Sequence, residues 1–140
     1  MRTLLIAIGN VFRRDDGAAH RALELLGGTR SLMQLTPEIA SEIAEYDRVF
    51  FLDADLNAGA PRIEPVVADA GIGPLAHSLT PAQIVRLAEQ IYGFQGAAFL
   101  CRIPGVDFDI GEGLSPTAEA NAAAAACLLR EALGRGGGER

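Results

Sequence analysis

The sequence contains no lysine: all twelve of its basic side chains are arginine, set against eighteen acidic ones, for a net charge of −6. A nucleic-acid surface needs a basic stripe, none is visible, and so no nucleic-acid partner is expected. Cysteine is nearly absent. Cys101 and Cys127 are the only two, and neither belongs to a CxxC or CxxH pair. Both sit in apolar runs, so both are expected to be buried free thiols. No apolar run approaches the ~20 residues that span a bilayer, so no membrane partner is expected. The stretch 3–8 is too short for the apolar region of a signal peptide and runs straight into Gly9-Asn10. The expected compartment is therefore the cytoplasm. There is no GxGxxG to favour a dinucleotide, no GxSxG to present a serine nucleophile, and no evident base beside Cys101.

What is present suits one globular α/β domain. About half of the 140 residues are apolar, enough for a real core. Residues 3–8 read as a buried strand ending at Gly9-Asn10. Asp15 can cap a helix that runs to about residue 26, where Gly27-Gly28 stop it. A short strand is expected at 31–35, then a helix at 37–44 with Thr36 as its cap. Residues 48–52 form the clearest strand, apolar on both faces as a parallel strand covered by helices should be. A strand at 63–67 is flanked by prolines and belongs near an edge. After a loop at 71–78, Thr80 caps a helix over 81–92. A last strand at 97–102, a glycine-bearing loop at 104–115 and an alanine-rich helix at 116–133 follow. Strands alternating with helices predict a three-layer α/β sandwich with a mostly parallel central sheet. The domain is expected to span 1–133, with 134–140 as a flexible tail.

Three side chains organise a candidate site: Asp16 after the first strand, Asp53 at the end of the apolar strand, and His77 before the helix of Thr80. A parallel α/β sheet brings such positions to its carboxyl edge, where these folds bind ligands. Two carboxylates and an imidazole there make an open site for a divalent ion. A carboxylate after four apolar residues is costly unless a cation or donor compensates it, which singles out Asp53. Asp55 is a rival two positions on. An Asp16/His20 pair, four residues apart, is another way to face a metal, although His20 reads more simply as a solvated or core-edge residue. Gly9 lets backbone approach a ligand, and Asn10 offers amide hydrogen bonds; both are candidate substrate-binding residues.

These residues resemble a known family. Gly9-Asn10, four residues, then Asp15-Asp16-Gly17 is similar to the start of the hydrogenase maturation endopeptidases. Val49-Phe50-Phe51-Leu52-Asp53-Ala54 resembles their apolar strand ending in Asp-Ala. His77 and the leucine-bearing helix after it resemble their histidine segment, and Gly113-Leu114-Ser115-Pro116-Thr117 resembles their Gly-Leu-Ser/Thr-Pro helix opening. The sequence departs from the pattern at Ala7 and Ala19, where the family has glycine. Leu35-Thr36-Pro37-Glu38 stands where the family has an Asp-Gly-Gly-Thr-like loop.

The resemblance implies a hydrolase. Its expected reaction is metal-dependent removal of a C-terminal peptide from the precursor of a nickel–iron hydrogenase large subunit. Asp16, Asp53 and His77 would contact nickel and carry the catalysis, with the nickel brought by the precursor. Two alternatives stand beside it. One is a member of the same fold that binds a precursor or metal without cleaving. The other is a phospho-acceptor receiver domain, whose acidic pocket Asp15-Asp16 and Asp53 mimic. That domain needs a lysine at the end of a late strand, and Cys101-Arg102 stands there instead.

Overall fold

A computed structural model describes residues 1–56, 59–68 and 79–137 of the chain. The strands are β1 (Thr3–Ile8), β2 (Ser31–Leu32), β3 (Arg48–Asp55), β4 (Arg62–Pro65) and β5 (Ala97–Pro104). The helices are α1 (Ala18–Leu25), α2 (Ile39–Ile43), α3 (Pro81–Tyr92) and α4 (Pro116–Gly137), with a 3-10 turn at Arg14–Gly17 leading into α1. One sheet has the order β2-β1-β3-β5-β4. Its first four members in that order are parallel, and only β4 runs antiparallel, at the edge, against β5.

The three layers follow from the apolar pattern. On one face, Ile6, Ile8, Val49, Phe51 and Leu100 pack with Ile39 and Ile43 of α2 and Ile84 and Ala88 of α3. On the other, Ala7, Phe50, Leu52, Cys101 and Ile103 pack with Ala19, Ala22 and Leu23 of α1 and Ala122, Ala125 and Leu129 of α4. A strand covered on both sides must be apolar at every position, which is why β3 reads as an unbroken run. The small side chains of α1 and α4 let these two helices lie close together over the sheet.

Several boundaries move from those expected. β2 holds only Ser31 and Leu32; Leu35 instead makes an isolated bridge to Leu79. α2 is a short helix whose N-cap is Glu38, with no side-chain cap, because the Thr36 hydroxyl bonds the Glu38 carboxylate rather than a helical N–H. The helix at Pro81–Tyr92 has the expected start: Thr80 and Gln83 form a reciprocal capping box. β3 and β5 run further than expected, to Asp55 and Pro104, because each continues to pair with the other out to that level. α4 continues to Gly137, beyond residue 133. The expected tail falls partly in that helix and partly, at 138–140, outside the described residues.

Cys101 is buried as expected, and burial pushes its thiol up to about 12. Cys127 is exposed instead. It lies two residues past Ala125, and two residues turn an α-helix through more than half a revolution, away from the core stripe. No helix among the described residues is long and apolar enough to cross a membrane.

Candidate functional site

Asp16 and Asp53 meet at the carboxyl edge of the sheet, as their positions in the sequence require. Both line a cavity of about 350 Å3 with Ile8, Gly9, Leu35, Leu79 and Thr80 among its other walls. Asp53 stands level with Ile8 on one neighbouring strand and Arg102 on the other. Strand alternation turns it to the face that α2 and α3 cover, just where that cover ends.

Asp16 reaches the cavity through a local hydrogen-bond chain. The Asn10 N–H donates to Asp16 Oδ2 at 2.6 Å. Asn10 Oδ1 accepts from the Phe12 N–H at 2.9 Å, an Asx turn that closes the bend after β1. His20 Nε2 lies 2.7 Å from the Gly9 carbonyl oxygen. A carbonyl only accepts, so Nε2 carries the proton in this contact. His20 therefore steadies the backbone of the turn. Gly9 has φ +155°, and a Cβ there would fall 2.0 Å from the Asp16 carbonyl oxygen. Only glycine permits this approach of two backbone segments.

The electrostatics are those of two carboxylates confined together. Burial, and next the negative charge of Asp16, push Asp53 up from 3.8 to about 7. The Ala54 N–H and the charge of Arg102 act in the opposite direction without cancelling the rise. A cation between the two carboxylates would relieve both the burial and the repulsion, so this donor pair fits a divalent metal. Asp16 accepts one hydrogen bond from Asn10, and a carboxylate has about four acceptor positions, which leaves room for a ligand bond. Among the described residues no group of three or more histidine, cysteine, aspartate and glutamate side chains is placed to hold a metal ion. His77, the third expected member, lies outside the described residues.

Asp55 has a different environment. It belongs to β3 rather than to a loop, and its carboxylate lies 3.7 Å from Arg102 and 3.9 Å from Arg62. Arg102 also donates from Nε to Glu64 at 2.6 Å. Strands β4 and β5 together thus supply an ion-pair network that holds Asp55, while Asp53, one repeat deeper, faces the cavity.

Asp15 does not cap α1. It is fully buried, and its carboxylate accepts from the backbone N–H groups of Val106, Asp107 and Ser115 and from the Ser115 hydroxyl, at 2.7–3.0 Å. Burial alone would raise its pKa; the hydrogen bonds from Ser115, Val106 and Asp107 outweigh that and lower it. The Ser115 Oγ also accepts from the Ala118 N–H at 3.1 Å, so one hydroxyl starts α4 and closes the clamp. Asp15 and Ser115 position the turn that carries Asp16. The only hint in the sequence was the doubled aspartate, since a helix start needs just one.

The sheet order bears on the phospho-acceptor reading. That domain has the all-parallel order 2-1-3-4-5. Here β5 lies between β3 and β4, and β4 is antiparallel. The chain does not have the receiver topology, and the receiver reading is set aside.

No protein-family model matches the chain, and no curated protein matches it in sequence. Solved structures do. The NiFe hydrogenase maturation protease HycI from Thermococcus kodakarensis is 21% identical, with 93% of this chain and 90% of that chain covered and a TM-score of 0.69. The chain has the hydrogenase maturation protease fold. The hydrogenase maturating endopeptidase HybD from E. coli superimposes with the same TM-score, 0.69, at 20% identity over 98% of this chain and 94% of that one. An endopeptidase from Escherichia coli reaches 0.73 at 22% identity, again over 98% and 94%. At this identity the likeness is one of fold, and it agrees with the motifs at Gly9-Asn10, Asp15-Asp16-Gly17 and Asp53-Ala54.

Proposed function

We propose that the chain is an endopeptidase that removes a C-terminal peptide from the precursor of a nickel–iron hydrogenase large subunit. One observation carries the reading. In a fold shared with maturation proteases, Asp16 and Asp53 converge on a single cavity at the carboxyl edge of the sheet. Asp16, Asp53 and His77 are the residues that would contact nickel. Support for His77 comes from the sequence motif and from its place two positions before Leu79, which lines the same cavity. The nickel is part of the loaded substrate. When bound, it supplies Lewis acidity toward the scissile carbonyl.

The chain's own residues orient and exchange protons. The Asn10 N–H fixes Asp16 in one rotamer, and Gly9 and His20 fix the turn behind it. Asp53, at about 7, is poised to accept or hold a proton near neutral pH, as a general base requires. Leu35 and Leu79 wall the cavity and limit the water that reaches it. The proposal places the reaction in the cytoplasm, the compartment expected from the sequence. It is tested by incubating purified protein with nickel-loaded and metal-free precursor and reading the length of the product. Shortening of the loaded form alone is expected. An unshortened loaded precursor, or full processing by an Asp53→Asn protein, refutes it. Stable capture of the loaded precursor without cleavage would favour the non-cleaving alternative.

A further inference from the structure

Four large apolar side chains stand in solvent around the same edge of the sheet: Phe12 at 57% exposure, Leu56 at 71%, Val106 at 62% and Ile110 at 85%. They come from the turn after β1, the end of β3 and the loop between β5 and α4. The loops are built, not loose. The Gly111 N–H donates to the Phe12 carbonyl at 2.8 Å, and the Arg14 N–H donates to the Gly111 carbonyl at 3.1 Å. The Asp15 N–H donates to Asp107 at 2.9 Å, and the Gly105 N–H donates to Asp55 at 2.8 Å. A second cavity, of about 310 Å3, opens beside Leu56. Arg13, Asp55, Leu56 and Phe108 line it, and Asp16 lines both this cavity and the one shared with Asp53.

Exposed apolar side chains held in a fixed arrangement beside a cleft mark an interaction surface. Its charge narrows the partner. Asp109 and Glu112 flank Ile110, are exposed, and make no ion pair among the described residues. The rim's arginines meet the rim's own acceptors: Arg13 Nε donates to the Phe108 carbonyl at 3.1 Å, and Arg14 lies 3.7 Å from Asp107. Arg13 lines the inner end of the path; the outward face beyond it is apolar at Val106 and Ile110 and acidic at Asp109 and Glu112. We infer that this rim docks an extended segment of the substrate protein that carries apolar and basic side chains, and that the segment passes along the second cavity to Asp16. The inference rests on the proposed proteolysis for the identity of the partner.

The test uses two double variants, Phe12→Ser with Ile110→Ser and Asp109→Arg with Glu112→Arg, each checked for folding by circular dichroism. Fluorescently labelled, metal-free large-subunit precursor, which the proposed reaction leaves intact, is titrated with wild type and variants, and anisotropy reports binding. Nickel-loaded precursor then gives KM and kcat. Both variants are expected to weaken binding and raise KM by about tenfold with kcat unchanged. Wild-type binding should weaken with salt, as charge complementarity requires. If the apolar variant misfolds, the charge variant decides. Binding that is lost in the variants although nothing is ever cleaved supports docking and refutes proteolysis. Unchanged binding and KM in the folded variants overturns docking whether or not cleavage occurs. So does a failure of wild type to bind, a fall in kcat alone, or a wild-type dimer in sedimentation that the variants dissociate.

Discussion

Replacing Asp53 by asparagine should make the metal-free protein more stable, by an amount that grows as the pH rises from acid to neutral and is constant above that. In the folded chain, burial and the charge of Asp16 raise this carboxyl from 3.8 to about 7. Well below 3.8 the group is protonated in both folded and unfolded states and exacts no penalty. As the pH rises, the unfolded carboxyl ionises first, and folding must retain or recapture its proton. The loss grows until the folded group ionises too, near 7, and is then constant. The full rise corresponds to roughly 4 kcal/mol at about 1.4 kcal/mol for each pH unit. The side chain is half-buried and partly screened by solvent, so about 2 kcal/mol is the expected gain. Asparagine keeps the shape and removes the charge. Urea denaturation followed by circular dichroism, with chelator present, measures it at about pH 3, about pH 5.5 and about pH 8. The two proteins should coincide at the lowest pH and diverge steadily above it. A gap of equal size at every pH, or a variant weaker than wild type at the highest, would refute the reasoning.

Asp15→Asn should be destabilising by about 3 kcal/mol at neutral pH, because a buried carboxylate accepting hydrogen bonds from Val106, Asp107 and Ser115 loses its charge-assisted partners. Its lowered pKa gives wild type a stability that is present above 3.8 and lost as the pH falls through the folded value, so the difference in midpoint between the two proteins should shrink in acid. Gly9→Ala should cost about 3 kcal/mol or unfold the turn, because its Cβ would lie 2.0 Å from the Asp16 carbonyl oxygen; a thermal midpoint unchanged from wild type would contradict the close approach. His77→Ala should fold normally and fail to process a loaded precursor. His20→Ala should lose about 1 kcal/mol with its bond to Gly9 and keep most activity, and the reverse ranking in a gel-shift assay would move the metal site to the Asp16/His20 pair.

The layers and the two carboxylates were legible because local rules carry them. An apolar run such as Val49–Leu52 can only be a strand covered on both faces, and a carboxylate at its end can only meet the edge of the sheet. Thr80, Pro81 and Gln83 likewise announce a helix start from side chains a few positions apart. What escaped was non-local. Asp15 looks like a cap because its partners, Val106 and Ser115, lie about a hundred residues away in the sequence. β3 looked as if it ended before its acids because the arginines that hold Asp55 come from β4 and β5. Cys127 looked buried because its neighbours are apolar, whereas helical phase decides which of them face the core.

The clamp at Asp15 grips the β5–α4 loop at both of its ends, at Val106 and Asp107 and again at Ser115. The span between them, 108–114, is therefore a cassette with fixed terminals. Its solvent-facing side chains at Asp109, Ile110 and Glu112 can be exchanged, as a cutting head is exchanged on a fixed shaft, without moving the aspartate that follows the clamp in sequence. A lineage, or an engineer, could retarget the rim through Asp109, Ile110 and Glu112 and leave Asp16 where it is.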